Sequence, residues 1–141
     1  MVVTAHPLAS EVGIEVLKKG GNASDASVAV QFALAVVYPS AGNIGGGGFF
    51  LYRSAKGACS SLDFREKAPS KAHRNMYLDS NGQVIENLSL YSHLAVGVPG
   101  TVDGMVEIHK KHGKLPWKDL LEPAIKLAEH GFLLTTKESK N

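Results

Sequence analysis

Arg65 stands between two acids in Asp63-Phe64-Arg65-Glu66-Lys67-Ala68-Pro69, directly after an apolar run patterned as a strand and just ahead of a proline. A guanidinium keeps its charge at any working pH and offers a planar fork that takes a carboxylate through two parallel hydrogen bonds. The chemistry on offer is therefore that of a carboxylate receptor. The plainer alternative is a surface ion pair, the commoner fate of an arginine flanked by acids at a strand end. Asp63 and Glu66 have the right types for a carboxylate pair in acid–base work. More simply, they are expected to hold the Arg65 side chain by charge-assisted hydrogen bonds.

Other residue patterns promise less. Gly45 to Gly48 resembles a phosphate loop only in composition: there is no G-x-G-x-x-G and no Gly-Lys-Ser/Thr, and a strand follows where those motifs need a helix N-terminus. A tight crossing, in which bare backbone passes close to a neighbouring element, is the expected role. His109 and His112 lie three apart on a predicted helix, but two ligands do not make a metal site, and Lys110 and Lys111 between them point to a solvated basic helix end. His6, His73, His93 and His130 are isolated, and no Ser/His/Asp assignment emerges. Cys59, the single cysteine, excludes an internal disulfide and reads as a small strand residue.

The elements that must position Arg65 follow from periodicity and turn chemistry. Phe49-Phe50-Leu51-Tyr52-Arg53 and Ala58 to Phe64 read as strands joined through Ala55-Lys56-Gly57 in an antiparallel hairpin. Alternation puts Arg65 with Cys59, Ser61 and Asp63, on the face opposite Ser60, Leu62 and Phe64. Before the hairpin, Pro7 opens an amphipathic helix that Gly20-Gly21 ends. A second helix, apolar nearly all round, runs from an N-cap at Ser24 or Asp25 to Val37 and stops at Tyr38-Pro39. Residues 66 to 94 are rich in turn residues and read as a surface excursion, with one helical turn near Arg74 to Leu78. Pro99 and Gly113 then bracket one helix, and Pro116 and Gly131 bracket another that Pro123 is expected to break or bend.

Composition bounds the rest. At 141 residues the chain suits a single domain with its own core, and 44% hydrophobic with 20% charged residues is globular rather than disordered. A net charge of +2, with the basic residues spread, gives no footprint for nucleic acid. The longest apolar stretch, Val28 to Tyr38, falls short of the roughly 20 residues a membrane helix needs. Asn22-Ala23-Ser24 and Asn87-Leu88-Ser89 fit the glycosylation sequon, a short and weak pattern.

The Arg65 motif does not stand alone. With Gly42-Asn43-Ile44-Gly45-Gly46-Gly47-Gly48-Phe49-Phe50, Val96-Gly97-Val98-Pro99-Gly100-Thr101-Val102-Asp103-Gly104, the opening Val2-Val3-Thr4-Ala5-His6-Pro7-Leu8-Ala9-Ser10 and the stretch from Leu115-Pro116-Trp117 to Gly131-Phe132, it resembles the γ-glutamyltranspeptidase family of N-terminal-nucleophile hydrolases, in the order of the start of the large subunit. The resemblance implies an α+β fold, part of an αββα sandwich with helices packed on an antiparallel sheet. It also implies that residues 1–141 are the first quarter or so of a self-cleaving precursor. The nucleophile, a threonine that begins the small subunit, then lies outside this chain.

In such an enzyme a γ-glutamyl group passes from glutathione or a related γ-glutamyl compound to water or an amino acid, through an acyl-enzyme on that threonine. The resemblance assigns Arg65 to the glutamyl α-carboxylate, with Asp63 and Glu66 in support. It implies neither metal nor organic cofactor, and it implies export to the periplasm or cell surface. The partners it implies are the remainder of the large subunit and the small subunit, and the chain alone is expected to be inactive. Two alternatives stay open: a related acylase acting on a cephalosporin side chain or on poly-γ-glutamate, and a standalone binding or assembly module. The all-round apolar helix and the open hairpin edge predict self-association of the isolated chain, or a loosened monomer.

Overall fold

A computed structural model of the chain describes residues 1–136 and 138–140. The elements run in the order α1 (Pro7–Lys18), α2 (Ala23–Val37), β1 (Phe49–Arg53), β2 (Cys59–Asp63), α3 (Leu88–Tyr91), α4 (Thr101–His112) and α5 (Trp117–His130), with short 3-10 turns at His93–Ala95 and Glu138–Lys140. The chain is α+β, and its contacts divide it into two compact units, Met1–Ile44 with Val102–Asn141, and Gly45–Thr101.

The first unit is helical. α1 packs on α2 and α2 on α5, and Val16, Val28, Ile108 and Leu120 bring one fully buried side chain each from α1, α2, α4 and α5. Each such burial contributes about 1.5–3 kcal/mol. From Ala26 to Val37 every α2 residue except Ser27 is buried or half-buried, as its apolar composition requires.

The start of α2 differs from expectation. Asn22, not Ser24 or Asp25, is the N-cap: its Oδ1 accepts from the backbone N–H groups of Ser24 and Asp25 at 2.9 and 3.0 Å. Asp25 closes the capping box through Oδ2, which accepts from Asn22 N at 2.9 Å. Its other oxygen reaches across the unit and accepts from Lys114 N at 2.9 Å and Leu115 N at 3.3 Å. Asn22 Nδ2 donates to His112 O at 2.6 Å and Lys114 Nζ to Gly20 O at 2.8 Å, so residues 20–25 are clamped to the loop between α4 and α5. The carboxamide of the first sequon is thereby committed to the fold.

Two further points of the helical unit refine the sequence reading. Of the break or bend expected at Pro123 there is no break: α5 runs from Trp117 to His130 as one helix. The carbonyl left without its donor is that of Asp119, an exposed first-turn residue that water can serve, while Leu120 and Ala124 keep the helix on the core. His109 belongs to the fold as much as to the solvent: its Nε2 lies 2.8 Å from Leu115 O and its ring meets Trp117 edge to face at 5.3 Å.

The second unit is built on the hairpin. β1 and β2 pair antiparallel in the register Phe49↔Asp63, Phe50↔Leu62, Leu51↔Ser61, Tyr52↔Ser60 and Arg53↔Cys59. The turn is held by Ser54 and closed by Gly57 at φ +87°, a conformation that suits glycine. Phe50, Tyr52, Leu62 and Phe64 share the half-buried face, and Phe49, Leu51, Ser61 and Asp63 lie exposed on the other. Residues 66–94 form the expected excursion of turns, pinned by isolated bridges between Lys67 and Val98 and between Leu78 and Val84. Arg74 to Tyr77 form turns instead of a helix, and the helical turn of this stretch is α3, further along.

Candidate carboxylate-binding site

β2 ends at Asp63, and the chain turns there because Asp63 Oδ1 accepts from the backbone N–H of Arg65 at 2.9 Å. Such an aspartate turn satisfies a strand-end donor and sets the direction in which the next residues leave. Asp63 thus supports Arg65 through its backbone, not through the guanidinium as the sequence suggested. Glu66 forms an ion pair with the side chain: its Oε2 lies 3.0 Å from Arg65 Nε, and the Arg65 side chain is 59% exposed.

The guanidinium carbon sits 6.0 Å from the centre of the Phe49 ring, the residue paired with Asp63 across the hairpin. A cation near an exposed ring gains about 0.5–1 kcal/mol, and an exposed ion pair about 0–1 kcal/mol. These contacts orient the side chain without using its outer edge. Among the described residues the two terminal amino groups of Arg65 donate no hydrogen bond. A guanidinium anchored through Nε, with its terminal fork open to solvent, is suited to receive a carboxylate from outside.

The backbone around Arg65 is tightly enclosed. Phe64 N donates to Gly48 O at 3.0 Å, and Lys67 and Val98 exchange both backbone hydrogen bonds, at 3.1 and 2.8 Å. Gly46 O accepts from Gly100 N at 2.9 Å and Thr101 N at 3.1 Å, joining the glycine run to the end of the same unit. The glycine run is thus the close structural crossing that its composition suggested.

The remaining candidates are not brought to this site. Three of the isolated histidines, His73, His93 and His130, lie exposed. His6 is buried and belongs to the helical unit. There it caps α1 by accepting from Leu8 N at Nδ1, 3.2 Å, and its Nε2 lies 3.0 Å from Glu138 Oε1. With Nδ1 accepting, the hydrogen of the neutral ring belongs on Nε2, an assignment made from the hydrogen-bond network. Sequence reading missed this role because histidine is not among the preferred capping residues. Glu138 is held below the ordinary glutamate range chiefly by the backbone N–H and then the hydroxyl of Thr135, with a smaller contribution from His6.

The surface hollows of the helical unit do not contain Arg65 either. A 310 Å³ groove is lined by Leu8, Val12, Pro123 and Leu127 with charged residues at its rim, and a 250 Å³ hollow lies beside Met1 to Thr4. Among the described residues no three or more His, Cys, Asp or Glu side chains are grouped to hold a metal ion, and no helix is long and apolar enough to cross a membrane.

The fold is that of one class of protein, the N-terminal-nucleophile hydrolases. More narrowly, the chain belongs to the γ-glutamyltranspeptidase family: the family model for γ-glutamyltranspeptidase matches residues 9–141. A glutathione hydrolase proenzyme of Pseudomonas sp. (strain A14) is 60% identical over 134 residues, which are 95% of this chain and 23% of that protein. The crystal structure of Helicobacter pylori γ-glutamyltranspeptidase superposes with a TM-score of 0.92 at 54% identity, covering 99% of this chain and 40% of that one. A cephalosporin acylase from Bacillus halodurans is more distant, at 31% identity and a TM-score of 0.80, covering 96% of this chain and 25% of that one. The chain spans about a quarter of the length of the curated relative.

Proposed function

We propose that this chain is the N-terminal portion of the large subunit of a γ-glutamyltranspeptidase, and that Arg65 binds the α-carboxylate of the γ-glutamyl group. The observation that carries the reading is the open terminal fork of Arg65, anchored through Nε on Glu66 at the exit of β2. The reaction moves a γ-glutamyl group from glutathione or a related γ-glutamyl amide to water or an amino acid. The acyl group passes through a threonine of the small subunit, outside these residues, so the present chain supplies one wall of the pocket. Export from the cytoplasm follows from the family resemblance.

The division of labour in this chain is recognition. Asp63 turns the backbone, Glu66 and the Phe49 ring orient the guanidinium, and the fork holds the substrate carboxylate far from the bond being broken. An interaction so placed is made equally in the ground and transition states, so its loss raises KM and leaves kcat nearly unchanged.

The test uses the mature enzyme with γ-glutamyl-p-nitroanilide and with 4-aminobutyryl-p-nitroanilide, in which hydrogen replaces the α-carboxylate. Arg65→Ala is expected to cost about 1.5–3 kcal/mol on the first substrate, roughly 10- to 150-fold in kcat/KM, and little on the second. Arg65→Lys is expected to lose nearly as much, because an ammonium lacks the fork. A wild type that handles both substrates alike, or a lysine variant with full activity, overturns the assignment.

A further inference from the structure

We propose that Gly47, Gly97 and Gly100 are positioning residues for Arg65, forming a cradle of bare backbone that fixes where the guanidinium stands. The proposal rests on the assignment of Arg65 to the substrate carboxylate and adds what sets its position. A β-carbon on Gly47 would lie 2.5 Å from the carbonyl oxygen of Phe64, 2.7 Å from Arg65 Cα and 2.9 Å from Arg65 C. On the other side, a β-carbon on Gly100 would run into the same Phe64 carbonyl and come within 3.1 Å of Arg65 O. Gly97 stands 3.1 Å, by the same measure, from Cβ of Glu66, the residue that holds Arg65 Nε.

These glycines are needed for space and not for backbone conformation. The glycines at positive φ are Gly20, Gly57, Gly82 and Gly131, and a β-carbon at any of them meets nothing within 4 Å. Gly47, Gly97 and Gly100 are absent from that set, yet each faces residues 64–66. The neighbours of Gly47 and Gly100 are backbone atoms, which cannot rotate away as a side-chain tip can. The two loops are also tied together, since Gly46 O accepts from both Gly100 N and Thr101 N, so neither can retreat alone. A methyl added at Gly47 or Gly100 therefore forces a shift between the glycine loops and the Phe64–Arg65 backbone. A displacement of the order of 1 Å spoils the paired hydrogen-bond geometry of the fork, so the cost approaches the low end of that for losing the contact, about tenfold.

The experiment measures the ratio of kcat/KM for γ-glutamyl-p-nitroanilide to that for 4-aminobutyryl-p-nitroanilide in mature enzyme carrying Gly47→Ala, Gly97→Ala or Gly100→Ala. Arg65→Ala and Asp25→Ala are run beside them. Positioning predicts that Gly47→Ala and Gly100→Ala lower the ratio about tenfold through KM, with the analogue changed by less than about threefold. Gly97→Ala, which presses on Glu66 alone, is expected to lower it about threefold. Asp25→Ala, which weakens a clamp in the other unit, is expected to leave it unchanged.

If the ratio collapses in Arg65→Ala but survives in the glycine variants, the cradle is refuted and the carboxylate assignment stands. If Arg65→Ala itself leaves the ratio intact, the assignment falls and the cradle with it. A fall in Asp25→Ala equal to that in the glycine variants means that the ratio reports general loosening, and this also refutes the proposal. Should Gly47→Ala and Gly100→Ala fail to mature, Gly97→Ala decides: a threefold fall supports the cradle and an unchanged ratio overturns it.

Discussion

Removing the Asp25 carboxylate is expected to be among the most damaging single changes in the helical unit. Asp25 is fully buried, and its two oxygens accept from three backbone N–H groups, those of Asn22, Lys114 and Leu115. Leaving a buried donor without a partner costs about 1–3 kcal/mol. Asp25→Ala strands three donors on residues that are half-buried or, for Lys114, exposed, so water recovers part of each bond and the loss is roughly 2–4 kcal/mol. Asp25→Asn keeps one oxygen and turns an amide toward a backbone donor, so a smaller loss of about 1–3 kcal/mol is expected. Chemical denaturation of the intact protein gives the size of the effect, and amide hydrogen exchange gives its place. Faster exchange should concentrate at residues 22, 114 and 115, because those amides lose their acceptor. An Asp25→Ala protein within about 0.5 kcal/mol of wild type, or one with unchanged protection at the three amides, refutes the clamp.

Two further outcomes follow from the structure. Glu138 is held below its usual 4.5 by the Thr135 N–H, so its contribution to docking the C-terminal turn is complete above that value and is lost as pH falls through the lower, folded value. A carbon-13 titration of its carboxyl group should show a midpoint under 4.5, and a midpoint at or above it contradicts the arrangement. Purified as 141 residues, the chain is expected to self-associate or to bind ANS as a loosened monomer, because Phe49 and Leu51 are 68% and 82% exposed on a two-stranded sheet with open edges. Light scattering showing a compact monomer at micromolar concentration, silent to ANS, would count against this.

Local chemistry made much of this protein legible before any coordinates. Pro7 and Pro116 start helices and Gly20 and Gly131 end them through φ and donor effects that act within a few residues, and Gly57 closes a hairpin whose strands alternate visibly. Arg65 was singled out by its type and its neighbours, since a permanent charge at a strand exit is a local fact. Asp25 was less legible: as a candidate cap it had the right kind of role, but its principal partners lie 89 and 90 residues away in sequence. No window of sequence holds both ends of that clamp. The same reason hid the work of Gly100, whose missing side chain matters only because folding brings the Phe64–Arg65 peptide against it. Pro123 shows the opposite case, a local signal that does not break the helix, because α5 is fixed by the burial of Leu120 and Ala124 and its lost donor falls at an exposed carbonyl. What acts between neighbours can be read along the chain, whereas packing distances and long-range acceptors exist only once the chain has closed on itself.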